Sequence, residues 1–290
     1  MADQEKTGST SGPLIRNISD TALWVAVYRA RETERKDALF RDPFARKLAG
    51  DRGEQIAKNM QVGQRYEWPY VARTVRFDQI ITEQIKHGTD MVINLAAGLD
   101  TRPYHMDLPA SLQWIEVDLP AMIDYKEEIL HNEKPRCALE RVHLDLASVA
   151  ARRELFQRLG SKAKKVLVLT EGLLVYMTRD EVAELGKDLS TQGSFRDWAI
   201  DLCSPGLLKM LQKNLGALEE AGSPLKFGPE EGPEFFIPTG WAPAEVYSML
   251  KTAAKLGRLP FGLRILALLP ESNGRQGSRP WGAACRLTRT

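Results

Sequence analysis

The chain has 290 residues, is 43% hydrophobic and 27% charged, and carries a formal net charge of +2. This is the balance of a globular protein long enough to bury a sizeable core without metal or disulfide staples. It shows no polybasic run for nucleic acid, no apolar run of the ~18 residues that a membrane span needs, and no apolar signal core in "MADQEKTGSTSGP". Neither nucleic acid nor a membrane is therefore an expected partner, and the cytoplasm is the expected compartment. Three cysteines (Cys137, Cys203, Cys285) lie far apart with no CxxC and no His at ligand spacing. They read as small buried hydrophobes in a reducing compartment, and no metal site is expected.

Residues 1–17 are polar and are expected to be a disordered lead-in. Helical patterns follow. "TALWVAVYRARE" (Thr21 to Glu32) lacks Gly and Pro and has Asp20 or Thr21 as N-cap; "DPFARKLAG" starts near Pro43 and stops at Gly50. A third helix is predicted from about Pro69 to His87, closed by Gly88. The rhythm then changes. Strands are predicted in "MVINLAAG" (Met91 to Gly98), "LQWIEVDLP" (Leu112 to Pro120), "RVHLDL" (Arg141 to Leu146), "KVLVLTEGLL" (Lys165 to Leu174) and "DWAIDL" (Asp197 to Leu202). Between them lie helical patterns, "PAMIDYKEEILHNE", "SVAARRELFQRLG" and "RDEVAELGKDLS". Strands alternating with helices of this length predict an α/β fold with a parallel, doubly wound sheet. The continuous apolar character of the first and fourth strands fits burial on both faces. Beyond residue 204, "SPGLLKMLQKNLGALEEAG" reads as helix and "LKFGPEEGPEFFIPTGW" as loop. "PAEVYSMLKTAAKLGR" reads as helix throughout or as a short strand followed by helix, and "WGAACRLT" (Trp281 to Thr288) as a final strand. No long linker divides the chain. A single domain over 18–290 is expected: helical over 18–88, a cofactor-binding core over 89–204, and a C-terminal part over 205–290 that completes the sheet and the substrate pocket.

Ligands of doubly wound sheets bind outside the carboxyl ends of the strands. There this chain places Gly98 and Asp100, then Asp118, Asp145 and Glu171. One acid at a strand end is commonplace; four in succession along one edge point to a site. Asp118 lies twenty residues past Gly98, the spacing at which a carboxylate meets the vicinal hydroxyls of a ribose. A dinucleotide fingerprint would need three glycines, and the corresponding places hold Ala96, Gly98 and Thr101. No phosphate loop occurs either. A nucleoside cofactor without phosphates fits better, and S-adenosylmethionine is the common one. Arg73 can fork its carboxylate, and Glu171 can meet its ammonium.

Several stretches then carry a resemblance: "TALWVAVYRARE", "LFRDPFARKLAG", "VARTVRFDQ", "INLAAGLDTRPYHM", "WIEVDLP", "HLDL", "LTEGLLVYM" and "GPEFFIPTGW". They resemble the leucine carboxyl methyltransferase-like family, and within it the bacterial S-adenosylmethionine-dependent O-methyltransferase branch, from about Ile18 to the C-terminus. The resemblance implies the class I methyltransferase (Rossmann-like) sheet, six parallel strands and one antiparallel, with an N-terminal helical lid. It implies that Arg73 holds the methionine carboxylate and that Gly98 lets the methionine portion lie on the first turn. Asp118 is to hold the ribose hydroxyls, Asp145 to accept from the adenine amino group, the Leu146 backbone to contact the ring, and Glu171 to face the methionine end. Two departures stand out. His105 replaces an Arg of many bacterial relatives, and "TALWVAVYRA" has no counterpart of the lysine used by the leucine-directed eukaryotic members.

The expected function is methyl transfer to a carboxylate or hydroxyl of a small molecule. Protein C-terminal carboxyl methylation is the alternative; a nicotinamide-dependent oxidoreductase and a noncatalytic S-adenosylmethionine-binding protein are more distant ones. A carboxylate nucleophile needs no general base at neutral pH, whereas a hydroxyl usually does. No residue type marks a base unmistakably. His105 and Tyr176 are the candidates, and Asp100 and His143 have duller readings as a helix cap and a structural histidine. Trp24, Trp68 and Trp241 are candidate pocket aromatics or core, and Phe235 and Phe236 a candidate pocket lid.

Overall fold

A computed structural model describes residues 19–59, 67–216, 219, 222–270 and 277–290. The expected disordered lead-in over 1–17 lies outside them. Three helices come first: α1 (Asp20–Glu34), α2 (Ala45–Asn59) and α3 (Trp68–Lys86). The sequence predicts that Gly50 ends the second helix. The backbone does break there, at φ 55° and ψ −173°, but the chain re-enters helix and continues to Asn59.

The alternating part follows in the predicted order: β1 (Met91–Leu95), the short α4 (Arg102–His105), β2 (Gln113–Asp118), α5 (Pro120–Leu130), β3 (Ala138–His143), α6 (Val149–Gly160), β4 (Val166–Thr170), α7 (Arg179–Ser190) and β5 (Phe195–Cys203). β3 begins three residues earlier than predicted and ends before Asp145. It is a half-exposed edge strand, so its apolar signal is weak, and the run "HLDL" owes its character to the turn beyond it. α7 is capped by Thr178, whose side chain accepts from Glu181 N while the Glu181 carboxylate accepts from Thr178 N. After α8 (Pro205–Asn214) the "GPEFFIPT" stretch is a 3₁₀ turn, not an open loop. "PAEVYSMLKTAAKLGR" takes the strand-then-helix form, as β6 (Trp241–Ser248) and α9 (Met249–Lys255), and β7 (Gly282–Arg289) is last.

Among the described residues the strands form one sheet of seven in the order β3-β2-β1-β4-β5-β7-β6. β3 through β5 run parallel, and β7 lies antiparallel to both neighbours. β1 and β4 are buried at every position because both faces are covered. Met91, Ile93, Val166 and Val168 pack on one side with Leu155 and Phe156 of α6 and Val182 and Leu185 of α7. Val92, Leu167 and Leu169 point to the other side, with Phe77, Ile80 and Ile81 of α3. The period-2 alternation of a strand thus feeds two cores at once. From β1 the chain winds outward through β2 to β3, then returns to place β4 on the other side of β1. The carboxyl ends of β1 and β4 therefore flank the crevice where the winding reverses.

Candidate functional site

The turn after β1 holds the small residues of "LAAGLD". Ala96 has φ 54° and Gly98 φ 49°. A Cβ on Gly98 would sit 3.4 Å from the Ala22 Cβ of α1, so the helix lies directly over this turn. The Gly98 N–H donates to Asp118 Oδ2 at 2.6 Å, and Leu119 N–H donates to Oδ1 at 2.7 Å. Both carboxylate oxygens are thereby fixed at the end of β2, each keeping a lone pair for another donor. Burial raises the Asp118 pKa against the pull of these two N–H groups.

Beside this turn lies a chain of ion pairs in which Arg102 is buried and the other groups are half-buried. Arg102 Nε donates to Asp78 Oδ1 of α3 at 2.6 Å, and its Nη1 lies 2.8 Å from Asp100 Oδ2 and 2.9 Å from Glu171 Oε2. Arg73 Nε donates to Glu171 Oε1 at 3.0 Å, and its Nη1 to Asp201 Oδ2 at 3.0 Å. Asp201 Oδ1 also accepts Gly172 N–H at 2.6 Å, and Asp100 accepts Asn94 Nδ2 at 2.8 Å. Burial would push the Asp100 carboxyl up, but Arg102 and Lys126 outweigh it and bring it down to about 2. Burial likewise opposes the charge of Glu171, yet Arg102 and Arg73 hold its pKa below the ordinary value. Asp78 goes the other way: burial pushes it up to about 6 despite Arg102. Four carboxylates share two guanidiniums, which leaves the cluster net negative.

These groups open into one cavity of about 1590 Å³, lined among others by Arg73, Gly98, Asp118, Asp145, Leu146 and Glu171. All six sequence candidates for cofactor contact thus border the same space. Asp145 is exposed; its Oδ1 accepts Ala147 N–H at 2.9 Å. The Leu146 carbonyl accepts Arg152 Nη1 at 2.9 Å. The volume exceeds the ~300–1,000 Å³ of ordinary ligand pockets, so there is room for two molecules.

The base candidates separate. His105 borders the cavity, and burial lowers its pKa although Asp42 pulls it up. Tyr176 borders it too, with burial raising its pKa and Thr21 as a hydrogen-bond partner. His143 is exposed beside Asp124, 3.0 Å away, and does not border the cavity. Asp100 caps the next turn through Arg102 N–H at 2.9 Å, but it is also an ion-pair partner and too acidic to serve as a base.

Among the aromatics, Trp24 and Trp68 line the cavity. Trp241 does not: it is fully buried, donates to Gly186 O at 2.9 Å and packs edge-on to Trp198. The lid expected at Phe235 and Phe236 is corrected as well. The 3₁₀ turn folds both rings inward against Phe227, and Phe236 also packs on Trp198, so neither reaches the cavity. Arg102, Asp78 and Asp201 escaped the reading of the sequence. Asp201 was within reach, because it stands near the carboxyl end of β5 as Glu171 follows β4. Asp78 and Arg102 carry no signal of their own, since only packing brings α3 to the turn after β1.

The model of the family described as leucine carboxyl methyltransferase matches residues 22–190. Among curated proteins, one from Streptomyces avermitilis named "Putative S-adenosyl-L-methionine-dependent methyltransferase" is 28% identical over 278 residues, covering 89% of this chain and 93% of its own. One of the same description from Frankia alni is 31% identical over 252 residues, covering 82% and 88%. Among solved structures, a DUF574 family protein from Streptomyces avermitilis superposes with a TM-score of 0.58 at 12% identity, covering 91% of this chain and 97% of its own. A methyltransferase-named protein from Thermobifida fusca gives 0.57 at 16% identity, covering 96% of both chains. Those two likenesses speak to the fold, a class I methyltransferase sheet. With more than half of its length matched, the chain belongs to the leucine carboxyl methyltransferase family.

Proposed function

We propose that this protein is an S-adenosylmethionine-dependent O-methyltransferase acting on a carboxylate or hydroxyl of a small molecule. The observation that carries the reading is the net-negative ion cluster at the switch-point crevice, next to the Asp118 carboxylate. A pyrophosphate brought there would meet carboxylates at low dielectric and be repelled. A ligand with an ammonium and a sulfonium is attracted. This separates S-adenosylmethionine from a dinucleotide on physical grounds.

The residues present fit that cofactor. Asp118 keeps a lone pair on each oxygen for the two ribose hydroxyls. Asp145 and Leu146 offer acceptor and backbone groups for the adenine. Gly98 leaves the first turn free of a side chain along the methionine portion. Arg73 has Nη2 left for a carboxylate, its other nitrogens being held by Glu171 and Asp201, and Glu171 can accept from an ammonium. When bound, the cofactor supplies a methyl group on a positively charged sulfur. The protein's part is alignment and exclusion of water. α1 is the proposed cover, and the approach of Ala22 to Gly98 supports it. A carboxylate acceptor needs only to be held in line. A hydroxyl acceptor needs a base, and His105, which borders the cavity and whose pKa burial lowers, is the proposed one.

The three cysteines are buried and unpaired, with burial pushing Cys137 up to about 11 and Cys203 up to about 12. Thiols of this kind are inert. Calorimetric titration of the protein with S-adenosylmethionine, S-adenosylhomocysteine and NAD tests the reading. The first two are expected to bind and NAD is not. Absence of S-adenosylmethionine binding would overturn the proposal.

A further inference from the structure

The mouth of the cavity is unusual for a protein surface. Phe261, Ile265 and Leu268 are 83%, 68% and 84% exposed, and Leu266 and Leu269 are about half exposed. Phe261 lies on a short helix, α10 (Phe261–Arg264), Leu266 and Leu268 on the 3₁₀ turn Leu266–Leu268 that follows it, and Ile265 and Leu269 flank that turn. The same segment turns Leu263, Leu266 and Leu269 into the cavity. Across the mouth, α8 presents Met210, which is both exposed and cavity-lining. The start of α8 is tied to the chain just before β7: Gly206 N–H donates to Gly277 O at 3.2 Å, and Ser204 Oγ donates to Arg279 O at 2.6 Å. The exposed apolar rim is thus continuous with the apolar interior. Contiguous patches of this kind mark a docking site.

Among the described residues, the charges carried by the two rim segments have one sign. Residues 249–270 hold Lys251, Lys255, Arg258 and Arg264 and no acid, and α8 holds Lys209 and Lys213 and no acid. Arg258 is neutralised by Glu32 and Asp37, but Lys255, Arg264, Lys209 and Lys213 are exposed. The cavity-wall acids of α7 are committed elsewhere, Glu181 to Thr178 and Glu184 to Arg153. A second copy of the chain is a poor occupant. A twofold interface sets a patch against itself, and this one would set like charges against each other. Exposed apolar side chains on segments whose exposed charges are Lys and Arg are instead the chemistry of an interfacial segment on anionic lipid. We propose that the Phe261–Leu269 rim, with Lys255, Arg264, Lys209 and Lys213 around it, docks on an anionic lipid surface. This departs from the sequence expectation of no membrane partner, which rested on the lack of a span. Among the described residues no helix is long and apolar enough to cross a membrane; the proposal places the protein on a surface only.

The test is co-sedimentation of the full chain with vesicles of phosphatidylcholine alone and of phosphatidylcholine mixed with phosphatidylglycerol, without cofactor or acceptor. Its failure is therefore separate from any failure of the methyl-transfer reading. Binding is expected on the mixed vesicles and weaker as salt rises. The double variant Phe261→Ser with Leu268→Ser is expected to lose it while keeping its melting temperature, because neither side chain is packed. Lys255→Glu with Arg264→Glu is expected to weaken it by at least roughly fivefold for each charge removed. A wild type that stays unbound with both vesicles overturns the proposal, and so do variants that bind like the wild type. A dimer in gel filtration that Phe261→Ser with Leu268→Ser abolishes would assign the rim to a contact between copies and overturn it equally.

Discussion

Arg102 Nη1 lies 2.9 Å from Glu171 Oε2, so the turn after β1 and the end of β4 are joined across the crevice by one largely buried ion pair. Arg102 also holds Asp78 of α3 and Asp100. One guanidinium therefore fixes three walls of the site. Its pKa stands well above the ordinary value: burial works against the charge, and Asp100, Glu171 and Asp78 more than offset it. Arg102→Met leaves three carboxylates without their shared counter-ion, and a loss of about 3–5 kcal/mol is expected. Urea denaturation reads it. An unchanged midpoint would mean that the cluster is not held together by this residue.

Asp118 stands apart from that cluster, fastened by backbone N–H groups alone. Asp118→Ala is expected to weaken S-adenosylmethionine binding roughly tenfold or more, the worth of hydrogen bonds to a charged acceptor. Asp118→Asn retains one acceptor oxygen and is expected to lose less. Calorimetry on both variants checks the order. Equal affinity in wild type and Asp118→Ala would remove the residue from the cofactor site.

Asp78 predicts a pH dependence of stability. Its folded value, about 6, lies above the ordinary carboxyl range because burial outweighs Arg102. The folded protein thus holds this proton more tightly than the unfolded chain does. The contribution to stability is full below about pH 4 and is lost as pH rises through about 6. Asp78→Asn abolishes that slope, so relative to the wild type the variant gains stability between about pH 4 and pH 8. Melting curves across that range test it, and a constant difference would count against the assignment.

His105 predicts a pH dependence of turnover that depends on the acceptor. Burial lowers its pKa, so with a hydroxyl acceptor kcat should rise with pH through a limb below ~6.5 and then level off. His105→Gln should then lower kcat by roughly 100-fold or more and abolish the limb. With a carboxylate acceptor, both proteins should give the same flat profile. A limb that persists in the variant rules His105 out as the base.

Trp241 and Phe236 predict a structural effect without a binding one. Both are fully buried in the core beside Trp198. Trp241→Ala and Phe236→Ala are each expected to cost about 3–5 kcal/mol of stability. Cofactor affinity of the folded protein should be unchanged. A variant of ordinary stability with a raised KM for its acceptor would restore the pocket-lid reading.

What could be read from the sequence follows from where the chemistry is local. The alternation of strand and helix patterns from Met91 to Cys203 is a property of neighbouring residues, and it specified the sheet and its parallel core. Acids at strand ends could be placed on one edge, because a parallel sheet sets every strand's carboxyl end on the same side. So Gly98, Asp118, Asp145 and Glu171 could be found without coordinates, and all border the cavity. Helix limits came out well where capping is local, as at Thr178, and less well at the exposed edge strand β3, where little apolar signal remains.

The tertiary structure decided the rest, because the deciding contacts are far apart in the chain. Arg73 meets Asp201 across 128 positions, and Arg102 meets Asp78 across 24. No periodicity encodes such pairs. The same holds for the aromatics: nothing in "GPEFFIPT" tells whether its rings face a ligand or a core, and only the 3₁₀ turn against Trp198 settles it. By itself the sequence determined which residues stand at the edge of the sheet. Folding determined which of them share charge, since electrostatic coupling acts through space at low dielectric and not along the chain.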